Sequence, residues 1–268
     1  MEFSHLGEVR SLLPPNVKIM ALTATATITL RSEICGVLGM KDQYVVTVSP
    51  EKNNVILQVS KFESLESTFN PIIQKLKMER LNLGRTIIYC QKQETCARLY
   101  LLFRLALNRE FTEPVGYPDL PRFRMVDMFT SGTHPSVKES IISSFTKPSS
   151  ESVIRVLIAT VAFGMGVNPP DIRHVYHCGP LHDTETYVQE IGHGGRDGGL
   201  TYATLFYSDA FKRFVDKNMI HYCQQDTHCR RDTLFSDFDK YQHSPINVGC
   251  KCCDVCMKVC ECDNCLRV

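Results

Sequence analysis

The sequence predicts an α/β fold in which a doubly wound, mainly parallel sheet is followed by a small cysteine-rich module. From Asn53 onward, short apolar runs rich in Val, Ile and Thr alternate with helical stretches, a pattern typical of repeated βα units. Nine of the thirteen cysteines fall between Cys223 and Cys265. A length of 268 residues suits one large domain and one small one.

The large domain is predicted to contain six strands, each followed by a helix or a loop. The predicted strands are Asn54–Val59, Thr86–Cys90, Met125–Thr130, Val153–Thr160, His174–Cys178 and Thr201–Tyr207. The predicted helices are Ser67–Leu81, Glu94–Asn108, Ser136–Thr146, Thr184–Gly192 and Asp209–Asn218. Pro and Gly make Thr112–Phe123 an excursion loop without a recognisable role.

The chain is divided by this pattern into three parts. Residues 1–48 contain one predicted strand, Val17–Leu22, and one predicted helix, Thr29–Leu38, which is too little for a separate domain. Residues 49–218 form the α/β domain, and residues 219–268 form the cysteine-rich module with its tail.

Composition excludes two classes of protein. A formal net charge of +1 argues against a polycation that holds nucleic acid by bulk electrostatics, although a local phosphate-binding track remains compatible with it. No apolar run reaches the roughly 18 residues of a membrane-spanning helix, and the first residues do not resemble a signal peptide. The sequence therefore predicts an intracellular protein, and we expect it in the nucleus.

The clustered cysteines predict a structural metal site. Cys229 is followed by Cys250-x-x-Cys253-x-x-Cys256, and four thiolates at such spacings suit tetrahedral Zn²⁺. In an intracellular protein, metal ligation is favoured over disulfides. A chelator is expected to unfold residues 229–256 and to leave the α/β domain largely intact.

The remaining cysteines of the tail leave the ligand assignment open. Four of them could replace a ligand, form a second site or stay as free thiols: Cys252, Cys260, Cys262 and Cys265. Arg230, Arg231 and Lys251 form a small basic edge that could lie on DNA phosphates, although solvated charge is the commoner explanation.

Three segments combine apolar strands or helices with hydroxyl groups and glycines. Ala21–Thr27 reads Ala-Leu-Thr-Ala-Thr-Ala-Thr, and Ile158–Gly166 ends a buried strand at Thr160 before two glycines. Tyr187–Gly199 ends a helix in a glycine-rich turn that presents Arg196. Hydroxyl caps, glycine turns and surface charge explain each segment on its own, but backbone N–H groups and a guanidinium also suit phosphate.

Taken together and in order, these segments resemble helicase motifs of the RecQ family of ATP-dependent DNA helicases. The match includes Ile87–Cys90 and the Pro-Asp-Ile-Arg that begins at Pro170, and it runs from about Leu6 to Cys256. The resemblance implies a second RecA-like motor domain, a zinc module, and 3′ to 5′ translocation on single-stranded or forked DNA in recombination and repair.

The resemblance also implies roles for individual residues. Arg196 resembles the arginine finger, and Gln189 resembles a nucleotide-sensing partner. The residues expected to couple to ATP are Thr23, Thr25, Gly166, Asn168 and Asp197. The residues expected to contact DNA are Gln91, Gly132, Thr160, Phe163 and Gly164. The expected zinc ligands are Cys229, Cys250, Cys253 and Cys256.

The sequence departs from the family pattern at three positions. His193 replaces one of two phosphate-facing arginines, Asn168 stands where the family commonly has Asp, and Thr130 stands where it often has His. With an unperturbed pKa of about 6.5, His193 is expected to be mostly neutral at pH 7.

Two motifs that a RecQ helicase needs do not occur in this sequence. No Lys follows a Gly, so there is no P-loop, and no Asp-Glu dipeptide could provide the acidic box that holds Mg²⁺. ATP and Mg²⁺ are therefore expected to bind only when an N-terminal RecA-like half is supplied, and the chain alone is expected not to hydrolyse ATP. The alternative is an ATPase-deficient, zinc-stabilised module that binds DNA or a protein partner.

Overall fold

A computed structural model describes residues 7–8, 12–14, 17–163, 167–238 and 250–262. These residues form one six-stranded parallel sheet with helices on both faces, as predicted. The strands are β1 Val55–Lys61, β2 Arg85–Cys90, β3 Val126–Phe129, β4 Val156–Ala159, β5 Ile172–Cys178 and β6 Thr201–Tyr207. Their order across the sheet is β1-β6-β5-β2-β4-β3, so β1 and β3 are the edge strands.

The helices connect these strands or follow them. In chain order they are α1 Ile28–Val37, α2 Leu65–Glu79, α3 Gln93–Leu107, α4 Pro135–Phe145, α5 Thr184–Ile191, α6 Lys217–Gln224, α7 Arg230–Phe235 and α8 Asp254–Lys258. Side-chain oxygens cap several of them, for example Ser64 before α2 and Asp183 before α5. Within the described ranges, no helix is long and apolar enough to cross a membrane.

Alternation along the central strands explains why both faces of the sheet are covered. Neighbouring residues of β2 point to opposite faces. Ile88 packs in one apolar cluster with Phe69 of α2 and Phe103 of α3, whereas Ile87 packs in another with Phe145 of α4. Each of these side chains is fully buried. The sheet is therefore enclosed between two helical layers, which is the doubly wound arrangement.

Two of the predicted elements are wrong. The predicted strand Val17–Leu22 is irregular, with Met20 79% and Leu22 84% exposed, because no strand in the described part of the chain pairs with it. The predicted helix Asp209–Asn218 is split into a 3₁₀ segment, Asp209–Phe214, and α6. The Asp216 side chain caps α6 by accepting a hydrogen bond from the Met219 N–H at 2.7 Å, so a new helix begins there.

The cysteine-rich module packs directly on edge strand β1. The Leu57 N–H donates to the Cys252 carbonyl at 3.3 Å, and the Val59 N–H donates to Asp254 at 3.2 Å. Val55 and Leu57 share an apolar cluster with Cys253 and other residues of the module. The module thus covers backbone groups that an edge strand would otherwise expose.

Two arginines fix the module in place and are not a DNA-facing edge. Arg230 donates to Asp254 at 2.5 Å and to the Tyr222 carbonyl at 2.8 Å. Arg231 contacts Glu51 at 3.1 Å and also donates to the Val55 carbonyl. Both arginines are at least 96% buried, so neither of the two explanations offered from sequence, contact with DNA phosphates or solvated charge, applies to these side chains. Of the three predicted residues, only Lys251 is exposed.

Candidate nucleotide and nucleic-acid site

A glycine-rich turn, residues 192–199, presents Arg196 at the amino ends of three strands. We call it the arginine turn. The Gly195 N–H donates to the carbonyl of Ile172, the first residue of β5, at 3.1 Å. The Asn54 side chain, just before β1, donates to the carbonyls of Gly195 and Gly199 at 2.7 and 2.8 Å. These bonds fasten the turn to the amino edge of the sheet.

Glycine is required in this turn for conformation and for space. Gly195 has φ +57°, which is in the left-handed region, and a Cβ there would lie 2.6 Å from the Gly199 carbonyl oxygen. At Gly194 a Cβ would lie 2.5 Å from the Thr201 side chain. The glycines that the sequence singled out therefore allow close packing of the turn on β5 and β6.

Arg196 is held by neutral acceptors only. It donates to the side chain of Asn168, and its Nη2 lies 3.0 Å from His193 Nδ1. The nearby carboxylates are occupied elsewhere, since Asp197 pairs with Arg173 and Glu190 lies 2.9 Å from His177. In the parts of the chain that the structure describes, no carboxylate forms an ion pair with Arg196. Its guanidinium is oriented but its charge is not neutralised.

A second cation, Lys52, belongs to the same site and was not predicted. Its Nζ donates to the carbonyls of Gly192 and Gly194 at 2.6 and 3.2 Å. Burial lowers the pKa of Lys52, and the charge of Arg196 lowers it further. Carbonyls and neutral side chains thus hold Lys52 and Arg196 near each other, and two neighbouring positive charges make the arginine turn suitable for binding an anion. Lys52 lies 140 residues before the turn in sequence, so no local motif could have revealed it.

His193 supports Arg196 and does not replace the missing second cation. His193 is 2% exposed, and its ring lies tilted at 45° to that of Tyr89, with ring centroids 6.4 Å apart. Burial lowers the pKa of His193 to about 4, and the charges of Arg196 and Lys52 act in the same direction. A neutral imidazole can accept the hydrogen bond from Arg196, whereas a protonated one would repel it.

This arrangement predicts an acid-sensitive fold. Because unfolded His193 binds a proton near pH 6.5 and native His193 only near pH 4, the unfolded state binds more protons between these values. The contribution of His193 to the free energy of unfolding is therefore complete above pH 6.5 and is lost as the pH falls towards 4. Urea denaturation should show that His193→Gln removes about 2 kcal/mol of the difference between pH 7 and pH 5. The exposed His221→Gln control, on α6, should leave this difference unchanged, and an equal effect of both variants would contradict the assignment.

The residues predicted to contact DNA lie mainly at the opposite, carboxyl edge of the sheet. Gln91, Gly132 and Thr160 follow β2, β3 and β4, which are neighbours in the sheet. A hydrogen bond of 2.5 Å from Gln93 to Ser131 connects the start of α3 to the loop after β3. Polar groups after adjacent parallel strands form a continuous edge that a phosphate backbone can follow.

Two features of this carboxyl edge differ from the sequence-based prediction. Phe163 is fully buried against Phe129 and Phe145, with ring centroids 5.2 and 5.7 Å apart, so its side chain packs in the core and does not face DNA. Lys138, which was not predicted, donates to the Ser131 carbonyl at 2.9 Å and adds a cation to this edge. Gly164 and Gly166 lie outside the described residues.

The remaining predicted residues lie near the arginine turn or in the first segment of the chain. Gln189 is exposed in the last turn of α5, and Asn168 is exposed beside Arg196. Asp197 accepts from Arg173 at 3.0 and 2.5 Å, which gives it a structural contact within the turn. Thr23 and Thr25 line a cleft of about 270 Å³ between residues 21–26 and 43–48.

Four cysteine sulfurs meet at the base of the module, but the set differs from the predicted one. Cys229, Cys252, Cys253 and Cys256 have sulfurs within 4.8 Å of one another. Cys252 takes the place predicted for Cys250, because the hydrogen bond from Leu57 holds the Cys252 backbone against β1. Spacing alone could not distinguish the two residues.

The donor set of this cluster fits a tetrahedral metal ion. The Cys229 and Cys252 sulfurs are 3.5 Å apart, close to the S–S edge of about 3.8 Å in a tetrahedron with metal–sulfur bonds of about 2.3 Å. Side-chain hydrogen bonds from Cys229 and Cys252 hold the pKa of Cys253 well below its usual range. The Arg230 and Cys256 N–H groups also donate to the Cys253 sulfur at 3.4 Å. Burial raises the pKa of Cys256 to about 12.

Comparison with known proteins identifies the family. The helicase conserved C-terminal domain matches residues 61–198, just over half of the chain. The chain belongs to this helicase family. It is 26% identical to ATP-dependent helicase wrn-1 of Caenorhabditis elegans, over 96% of this chain and 24% of that protein. It is also 26% identical to ATP-dependent DNA helicase RecQ of Pasteurella multocida, over 96% of this chain and 39% of that protein. The RecQ resemblance is therefore confirmed.

The fold is shared with a solved structure. Saccharomyces cerevisiae Dbp5 bound to RNA and ADP BeF3 superposes with a TM-score of 0.57 at 17% identity, over 88% of this chain and 53% of that one. This likeness confirms a RecA-like fold for the sheet and its helices. The chain spans less than half the length of each of these two curated relatives.

Proposed function

We propose that this chain is the second motor domain and metal module of an ATP-dependent DNA helicase that moves 3′ to 5′. The observation that carries the proposal is Arg196, whose guanidinium is oriented by Asn168 and His193 and paired with no carboxylate in the described part of the chain. Such a group can stabilise charge that develops on a transferred phosphoryl group.

The two edges of the sheet have separate tasks in this proposal. The amino edge, with Arg196 and Lys52, meets the ATP phosphates, and the carboxyl edge, with Gln91, Gly132 and Thr160, follows a DNA strand. The segment between β4 and β5 begins at Thr160 and reaches Asn168, which contacts Arg196. Nine consecutive residues, 160–168, thus join the two edges in sequence, although 164–166 lie outside the described structure, and this connection gives the nucleotide state a route to the DNA contacts.

In this proposal, a separate RecA-like half supplies the phosphate-binding loop and the acidic box. Neither motif occurs in the 268 residues, so an N-terminal RecA-like half supplies them together with Mg²⁺. The cysteine cluster holds Zn²⁺, because four thiolates in a tetrahedral arrangement are the donor set of structural zinc sites. Cysteine sulfurs occupy all four coordination positions of this ion, so none is left for water or substrate, and the ion is structural and not catalytic.

A fusion protein tests the proposal. The full chain is joined behind the N-terminal RecA-like domain of a RecQ relative, and ATP hydrolysis and strand separation are measured with and without DNA. We expect DNA-stimulated hydrolysis and unwinding of a duplex with a 3′ tail but not of one with a 5′ tail. The unfused chain should hydrolyse no ATP. A correctly folded fusion without DNA-stimulated hydrolysis, or one stimulated only by RNA, would favour a binding module or an RNA enzyme instead.

A further inference from the structure

Three cysteines outside the first cluster lie together near the two ends of α8 in sequence. The sulfurs of Cys250, Cys260 and Cys262 are all within 4.8 Å of one another. None of the three belongs to the Cys229 cluster, which already contains four sulfurs. The proposed helicase function leaves these three cysteines without a task.

The geometry favours a metal over a disulfide. The sulfurs of Cys250 and Cys262 are 3.6 Å apart, much longer than a disulfide bond of about 2.05 Å. The distance is close to the S–S edge of about 3.8 Å expected around a tetrahedral zinc ion. With a third sulfur in the same small volume, a metal ion can use all three sulfurs, whereas a disulfide uses two.

The sequence around the three cysteines suits such a site. Cys260 and Cys262 follow directly after the end of α8, and Cys250 comes shortly before its start. Cys253 is the N-cap of the same helix and Cys256 lies within it, and both are members of the first cluster. The second group therefore joins the segment before α8 to the segment after it, so an ion bound there would hold these two segments together.

We propose that Cys250, Cys260 and Cys262 bind a second zinc ion. Binding converts three thiols to thiolates and releases their protons to solvent, with no change of oxidation state. The three thiolates occupy three positions of a tetrahedron, and the fourth is left to a further ligand. Cys262 is exposed and the other two are half-buried, so this ion should exchange more readily than the ion of the buried first cluster.

Zinc content per chain tests the proposal directly. Purified full-length chain should contain two zinc ions by mass spectrometry of the metal, and the double variant Cys260→Ser/Cys262→Ser should contain one. Cys35→Ser, which lies outside both groups, serves as the matched control and should keep two. One zinc ion in the wild-type chain, or an unchanged content in the double variant, would overturn the second site.

A single substitution at Cys250 separates this site from the first one. If Cys250 belongs to the second group, Cys250→Ser should lose one ion and keep the far-ultraviolet circular dichroism of the wild-type chain. If it belonged to the first cluster, the same variant would lose the buried ion and unfold the module, and that result would overturn the proposal. Graded chelation of the wild-type chain should likewise remove one ion before any loss of structure. None of these measurements depends on ATP hydrolysis, so they test the second zinc site even if the proposed helicase function is wrong.

Discussion

Replacing Arg196 with alanine is expected to lower the rate constant for ATP hydrolysis by the fusion protein about 1,000-fold or more, the range measured for arginine fingers. Asn168 and His193 already orient the guanidinium before ATP binds. Its positive charge should therefore stabilise the transition state of hydrolysis and add little to the binding of ATP. The loss should therefore appear in kcat, with a much smaller change in the dissociation constant for ATP. Single-turnover hydrolysis and equilibrium nucleotide binding would separate the two.

The matched control for this experiment is Arg98→Ala. Arg98 is exposed on α3, outside the arginine turn, so its removal should leave kcat within a factor of about 2, as expected for a surface substitution. Circular dichroism would show whether the Arg196 variant keeps the fold. A folded Arg196→Ala protein with unchanged kcat would exclude the proposed role of Arg196 in phosphoryl transfer.

The strands of the sheet could be predicted from sequence because burial on both faces leaves a continuous apolar run. β2 and β6 match their predicted ranges to within one residue at either end. The strand predicted at Val17–Leu22 has the same local composition but no neighbour to pair with in the described structure. A strand depends on a partner that its own sequence does not contain, so this failure has a physical cause.

The candidate site could be predicted only in part, for a similar reason. The glycine-rich turn and Arg196 form one continuous segment and were recognisable in it. Lys52 belongs to the same site only because β1 lies beside β6, and residues 140 positions apart are brought together by that topology. The position of the turn at the amino edge also depends on the direction in which α5 returns along the sheet.

In the cysteine-rich module, the roles of the charged and metal-binding residues could likewise be predicted only in part from sequence. Arg230 and Arg231 follow a cysteine and look like surface charges, but each finds a carboxylate and backbone carbonyls in the interior. Burial of a paired guanidinium cannot be recognised from composition. The choice between Cys250 and Cys252 likewise depends on a backbone hydrogen bond to β1, not on spacing.

Replacing Cys253 with serine is expected to remove the ion of the first cluster and to lower the free energy of unfolding by about 5 kcal/mol or more. Structural zinc contributes about 10–16 kcal/mol of binding free energy to small domains, comparable with the whole stability of a typical domain. Cys253 is fully buried, so in the serine variant no water molecule from solvent can replace the lost sulfur as a metal ligand. Urea denaturation and zinc content would measure both effects.

The loss should extend from the module into the sheet, because the two share one apolar cluster. Hydrogen exchange should show faster exchange for the N–H groups of Leu57 and Val59, which donate to Cys252 and Asp254. Central strand β2 pairs with β4 and β5 and should keep its protection. Cys35→Ser should change neither strand. If β1 stays protected after the metal is lost, the module is a separate unit. If β1 loses its protection, the ion also maintains the strand that directly follows Lys52, which contacts the arginine turn.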